Sequence, residues 1–500
     1  MERMSTLDAG FFFVEHRNVP MHLGSLAVFT GPAPSYQELT ELLAAKLALV
    51  PRYRQVVRTT PLQLMWPCWV DDEHFQLSRH ARQATVPPPG GNRELRELAA
   101  TIFAEPLDRG RPLWEAWLLD GLKGGRWAIL SKVHHCVVDG IGGNDLMTAI
   151  FDLAPDAERP APVDWVPEPR PSVLDLVGAE VRDSLRQWTR LSGRLGQPLP
   201  SPESILNYGR GLSASAQRLA VPSAASLNGP IGPNREWAWA SGRLDEVKAV
   251  RAALGGTVND VLLAAITRGF RDLLASRGEL AEGVVVRSLV PVSVRTPDEH
   301  GVITNRLSAV LANLPVGEPD PVRRLALVRA EMDEIKQTSQ AVGPELLTGM
   351  LGVTPPALLA PSLRTAFQLP QPLVQTVTTN VPGPPIPLYV AGRKLLRLHP
   401  YVPLGDHVRI SVAIISYRGQ LNYGVTADPD AVPDLAVLTK GIRRGLAELT
   451  AAARAAEEAG SAGEAGSAAA AWRPELAAGG GSEPAPEDGA EPAAAPSHAG

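Results

Sequence analysis

Two hydrophobic periods alternate along this chain. Pro20-Met21-His22-Leu23-Gly24-Ser25-Leu26-Ala27-Val28-Phe29 follows a proline with an extended, mostly apolar run, which predicts a strand. Leu39, Leu43 and Leu47 then recur every fourth residue behind Ser35 and Glu38, a capping-box spacing, and predict a helix that Pro51-Arg52-Tyr53-Arg54 stops. Residues 66–75 look strand-like, and residues 93–104 predict a helix with Leu95, Leu98 and Ile102 on one face, ended by Pro106-Leu107-Asp108. Arg111-Pro112-Leu113-Trp114-Glu115 enters a strand, and the run Trp127 to Val133 predicts the one after it. Leu146, Ile150 and Leu153 then suggest a helix face. Strands alternating with helices in this way predict an α/β domain.

The second half repeats the alternation. Trp237-Ala238-Trp239-Ala240 reads as a short strand, Leu244 to Leu254 as a helix ended by Gly255-Gly256, and Thr257 as the cap of an apolar helix with Asp260 at its third position. Strands are predicted for residues 284–294 and 305–315, and Leu325, Val328, Met332 and Ile335 mark an amphipathic helix. Val374 to Thr379 leads into Asn380-Val381-Pro382-Gly383-Pro384, a turn enforced by proline and glycine. Residues 408–416 and 421–426 flank Tyr417-Arg418-Gly419-Gln420 as a hairpin, and a last helix is expected over about 432–455.

Composition sets the boundaries. Five hundred residues suffice for two domains. Residues 154–171 carry six prolines, Ser172 then caps a predicted helix to about Arg194, and 196–235 lack strong periodicity. The expected division is therefore a first domain over 1–153, a crossover over 154–235 with a mobile loop, a second domain over 236–456, and a disordered Ala/Gly/Glu/Pro tail over 457–500. A net charge of -5 offers no global reason to expect nucleic acid as a partner. Two cysteines cannot build a disulfide framework, which fits a reducing cytosol. The N-terminus reads as lacking a secretory signal, and the sequence contains no clean run of about 18 apolar residues to span a membrane.

Chemistry concentrates in Lys132-Val133-His134-His135-Cys136-Val137-Val138-Asp139-Gly140. If the strand continues to the pair, the two imidazoles point to opposite faces, so only one serves a given pocket. Cys136 would turn away from His135 for the same reason. A core histidine is the ordinary alternative, and a metal site finds no support, because Cys68 and Cys136 show no CxxC or HxxxH spacing. Asp139 is either a charge relay or, as its place at the strand end suits, half of a buried ion pair that orders the loop, with Arg295 as the candidate partner, and Gly140 suits a left-handed or crowded backbone where ligand approaches. Asn259 and Asp260 are either helix-start or ligand-lining groups. Trp114 is placed either in core packing beside the motif or in substrate contact.

The pattern HHxxxDG resembles the active-site motif of acyltransferases built like chloramphenicol acetyltransferase and of peptide-synthetase condensation domains. Leu7-Asp8-Ala9, Pro20-Met21-His22, Pro112-Leu113-Trp114, Asn259-Asp260, Pro291-Val292-Ser293 and Asn380-Val381-Pro382-Gly383-Pro384 occur in the order found in the bacterial wax ester synthase/diacylglycerol acyltransferase family. Together these segments resemble that family over residues 4–450, with Thr304 and Thr379 as mild departures. The resemblance implies two chloramphenicol-acetyltransferase-like α/β (α+β) domains in a pseudo-dimer, with the histidine motif at the midpoint of a tunnel between them. It implies transfer of a long-chain acyl group from acyl-CoA, as substrate and without a cofactor, to diacylglycerol or a long-chain alcohol. His135 takes the role of general base by the same analogy. A neutral imidazole suits that task, since a hydroxyl must lose its proton as it attacks a thioester. The expected location is cytoplasmic, peripheral at the inner face of the membrane or on lipid inclusions. A charge-free stretch, residues 346–363, is expected either to be buried or to form an apolar lip at the tunnel mouth. The competing readings are an acyltransferase with another acceptor or a carrier-bound donor, and a non-catalytic lipid-binding homologue.

Overall fold

The computed structural model describes residues 2–60, 63–138, 150–158, 165–172, 175, 178, 182, 221–293, 307–339 and 356–471. Met1–Arg454 form one compact unit and Ala455–Gly500 a second. The chain opens with β1 (Glu2–Arg3) and helix α1 (Thr6–Val14). Ser5 starts α1 by accepting the Asp8 N–H at 3.2 Å while its hydroxyl donates to the Asp8 carboxylate. There follow β2 (His22–Phe29), α2 (Tyr36–Lys46), β3 (Gln55–Arg58), β4 (Cys68–Asp71), β5 (Ala81–Thr85), α3 (Asn92–Ala104), β6 (Trp114–Leu122) and β7 (Arg126–His134). Ser35 caps α2 as its position predicts, and Glu38 pairs with Arg393 far along the chain. The strand expected over 66–75 is shorter, since Pro67 precedes Cys68 and Asp71-Asp72 closes it.

The second half contributes β8 (Glu236–Arg243), α4 (Leu244–Leu254), α5 (Val258–Ser276), β9 (Val286–Ser293), β10 (Leu307–Leu314), α6 (Pro321–Ser339), α7 (Pro356–Gln368), β11 (Thr376–Val381), β12 (Tyr389–Val390), β13 (Arg393–Tyr401), β14 (Ile410–Tyr417), β15 (Gln420–Ala427) and α8 (Leu435–Ala471). The helix predicted to end near 455 continues to Ala471, so residues 457–471 are not the structureless tail expected. Alanine, the best helix former, dominates that stretch. Ser172 and Asp175 cap one another reciprocally, as the predicted helix start requires. Most of that helix, together with Leu146, lies outside the described residues.

Two six-stranded mixed sheets carry the fold, ordered β12-β13-β2-β7-β6-β5 and β10-β9-β11-β14-β15-β8. Chain order places β12 and β13 in the second half, yet β13 pairs antiparallel with β2 from Leu395↔Phe29 to Tyr401↔Gly24. The halves are thus joined by hydrogen bonds within one sheet as well as by packing. Gly424 of β15 permits this approach: a Cβ there would lie 1.7 Å from the Pro400 carbonyl oxygen. On the second sheet, α5 buries Val261, Leu262, Leu263, Ile266, Phe270, Leu273 and Leu274 completely. Each such side chain contributes roughly 1.5–3 kcal/mol relative to exposure, so packing holds this helix in place. No single helix among the described residues is long and apolar enough to cross a membrane. The α4–α5 pair meets that test jointly but bends by 102°.

Candidate active site

β7 sits between β2 and β6, and its last residue is His134. The strand stops there, and His135–Val137 form a 3-10 turn. The two imidazoles therefore part because the chain turns, where strict strand alternation had been expected to separate them. Cys136 also keeps clear of His135 for this reason: it folds back beside His134, with Sγ 2.9 Å from Nδ1.

His134 is fully buried. Its backbone N–H donates to the Leu113 carbonyl at 3.0 Å, and its Nδ1 accepts the Cys136 N–H at 3.1 Å. On the other side of the ring, Nε2 lies 3.4 Å from Oε2 of Glu15. Glu15 follows the end of α1, accepts the Met21 N–H at 3.0 Å, and faces Nε of Arg109 at 3.7 Å. Burial alone would raise the Glu15 carboxyl. The nearby His134 ring, the Met21 amide and Arg109 outweigh it and hold the group below the usual carboxylate range. Arg109 also donates to the Phe12 carbonyl at 2.8 Å and lies 3.6 Å above the Phe12 ring.

His135 has a different setting. Its N–H donates to the Met21 carbonyl at 2.7 Å, and its ring stacks on Phe11 with centroids 3.7 Å apart and planes 21° apart. Successive residues of α1 thus meet successive histidines, because Phe12 sits edge-on to His134. Nδ1 of His135 is buried without a hydrogen-bond partner among the described residues. Desolvation, then the neighbouring His134, pushes the imidazole down to about 4. At neutral pH the ring is uncharged and its lone pair is free to take a proton. Burial pushes the Cys136 thiol well up, so it stays protonated and is a poor nucleophile.

The remaining sequence candidates divide. Asp139, Gly140 and Arg295 lie outside the described residues, and with them the expected ion pair. Asp260 is a helix-start group: Oδ2 accepts the Thr257 N–H at 2.7 Å and its amide donates to Thr257 Oγ1 at 3.2 Å. Asn259 meets the Asn380 side chain at 3.5 Å, which brings two motif segments together. Trp114 is buried, stacked on His80 at 4.8 Å, with its indole N–H on the Tyr53 carbonyl at 2.8 Å. Both of its polar and aromatic contacts face the core. Among the described residues no hydrogen bond or ring contact joins Asn259, Asp260 or Trp114 to His135. A cavity of about 340 Å³ lies elsewhere, between Val70, Asp71, Glu168 and Arg182. No group of three or more His, Cys, Asp or Glu side chains among the described residues is arranged to hold a metal ion. Sequence reading missed Phe11, Glu15 and Arg109. The Ser5-to-Asp8 cap spacing was the available sign that the first segment is a helix ending beside them.

Two adjacent histidines where a central strand ends, in a fold whose first mixed sheet takes two of its strands from the second half of the chain, accompany a match to acyltransferases along most of the sequence. The chain belongs to the wax ester synthase/diacylglycerol acyltransferase family: residues 4–262 match its catalytic domain and residues 303–450 its C-terminal domain. It is similar to the protein named "probable diacyglycerol O-acyltransferase tgs1" of Mycobacterium tuberculosis (strain ATCC 25618 / H37Rv), 37% identical over 453 residues, covering 90% of this chain and 96% of the relative. Its structure is similar to that of the wax ester synthase/diacylglycerol acyltransferase of Marinobacter aquaeolei VT8, with TM-score 0.64, 28% identity, and 91% and 100% of the two chains covered. The starter condensation domain of rhizomide synthetase RzmA, solved in complex with C8-CoA, shares the fold at TM-score 0.54 and 14% identity, covering 91% of this chain and 95% of that one.

Proposed function

We propose that this acyltransferase moves a long-chain fatty acyl group from acyl-CoA to diacylglycerol, giving triacylglycerol, and accepts long-chain alcohols to give wax esters. The observation that carries the reading is His135: neutral, desolvated, stacked on Phe11 and tied through its amide to Met21. The acceptor hydroxyl gives its proton to this imidazole as its oxygen attacks the thioester carbonyl. Collapse of the tetrahedral intermediate breaks the carbon–sulfur bond, and the imidazolium returns the proton to the departing thiolate. A ring that resists protonation makes a strong acid once charged, which favours that second transfer. In this proposal Asp139 and Arg295 form the ion pair that orders the loop after His135. The two domains, 1–153 and 236–456, enclose a tunnel that holds both substrates. The family membership and the likeness to the tgs1 relative support diacylglycerol as acceptor.

Diacylglycerol resides in membrane, so the proposal includes reversible contact with a lipid surface at the inner membrane face or on lipid inclusions. Exposed Leu358, Phe367 and Leu369, on and just after α7, support it. The test of the acceptor is incorporation of labelled palmitoyl-CoA with dioleoylglycerol, hexadecanol and a short-chain alcohol offered side by side. Label in triacylglycerol is the expected product. Label entering other acceptors while dioleoylglycerol stays untouched would overturn the assignment.

A further inference from the structure

Two N–H groups face the Glu15 carboxylate, the Met21 amide hydrogen-bonded at 3.0 Å and the His134 Nε2 in close contact at 3.4 Å, and each leads to one of the histidines. The tautomer of His134 is set by its surroundings. A backbone N–H can only donate, and that of Cys136 points at Nδ1 at 3.1 Å. Nδ1 therefore holds a lone pair, and the ring proton of the neutral imidazole sits on Nε2. Nε2 faces Oε2 of Glu15 at 3.4 Å, with both side chains almost fully buried. The other carboxylate oxygen accepts the Met21 N–H at 3.0 Å. The carbonyl of that same Met21 accepts the His135 N–H at 2.7 Å. Glu15 thus reaches His134 through its side chain and His135 through one residue of backbone. The helix that ends at Glu15 also supplies Phe11 as the stacking surface for His135.

We propose that Glu15 is a positioning residue for acyl transfer: it keeps the His134 proton on Nε2 and so fixes the turn that presents His135. The inference rests on His135 acting as the base. A carboxylate suits this place because both of its oxygens accept. A glutamine amide can satisfy only one of the two donors and sets an NH₂ against the other. Either the Met21 amide loses its partner, or His134 must move its proton to Nδ1, where it would oppose the Cys136 N–H.

The experiment uses the full chain with ¹⁵N-labelled histidine, read by long-range ¹H–¹⁵N correlation, beside steady-state kinetics with palmitoyl-CoA and dioleoylglycerol. The wild-type protein is expected to show His134 as the Nε2–H tautomer. Glu15→Gln is expected to shift the His134 ring nitrogens and to lower kcat on the order of 10²-fold, as a small misplacement of a reacting group does, with KM for the acyl donor unchanged. Glu15→Asp, which keeps two acceptor oxygens, is expected to recover part of the loss. A wild-type His134 protonated on Nδ1 overturns the proposal, whether or not any variant folds. So does a folded Glu15→Gln enzyme with wild-type kcat. Failure of the acyl-transfer reading would look different: the wild-type protein would be inactive whatever its tautomer.

Discussion

His135 and His134 are neighbours in sequence with opposite surroundings. His134 accepts the Cys136 N–H at Nδ1 and turns Nε2 toward Glu15 at 3.4 Å, whereas His135 has a stacked ring, a buried Nδ1 without a hydrogen-bond partner among the described residues, and a pKa lowered to about 4 by desolvation. The folded protein therefore resists protonating His135 where an unfolded chain does not. Between its ordinary value and about 4 the unfolded state binds more protons, so the stability contributed by this group is full above ~6.5 and is lost as pH falls. The same shift predicts that log kcat/KM stays flat as pH is lowered through ~6.5, wherever the near-ultraviolet circular dichroism remains native. An acid limb centred near ~6.5 would show an ordinary, solvated histidine and contradict the desolvation of the His135 ring. While Asp139 and Gly140 lie outside the described residues, the place of the histidine pair at the end of a strand was legible in the sequence because an apolar run leads into it. Glu15, Phe11 and Arg109 were not, because only the fold brings positions so distant along the chain beside the histidines.

At the scale of elements, capping and periodicity located most helices, and Ser35, Thr257 and the Arg418-Gly419 hairpin fall where their residue types require. β13 escaped because a register shift between Leu395 and Arg397 breaks its alternation and Pro400 interrupts it. β5 escaped because Ala81–Thr85 is a largely polar edge strand whose partner lies far along the chain. The charge-free stretch 346–363 divides in the structure. Residues 346–355 lie outside the described residues, Leu359 and Ala360 are buried in the cluster that includes Phe12 and Cys136, and Leu358 is 63% exposed. The inner face of α7 therefore supports α1, and the exposed Leu358 suits the lipid contact proposed for this segment. Leu351→Asp with Leu358→Asp is expected to reduce flotation with liposomes while a soluble short-chain alcohol is still acylated. Flotation equal to wild type would remove the lipid-contact role of this segment.

At the scale of the molecule, the shared sheet governs how the halves depend on one another. The strand-rich halves were readable from alternation and composition, but the loan of β12 and β13 to the first sheet was not, since pairing partners are a property of the folded chain. Without β13, β2 would present an open edge of unpaired amides and carbonyls. Residues 1–235 and 236–500, expressed separately, are therefore expected to be insoluble or to aggregate, and to recover activity only when produced together. A soluble, monomeric first half with native-like circular dichroism would contradict that dependence. The central claim concerns the chemistry that this joined architecture supports. Its most direct test is single-turnover transfer from labelled palmitoyl-CoA to dioleoylglycerol by wild type and His135→Ala, with folding of both checked by circular dichroism. Loss of a general base predicts a rate lower by roughly 10²–10⁴ in the folded variant. A folded His135→Ala protein that transfers the acyl group at the wild-type rate would contradict it.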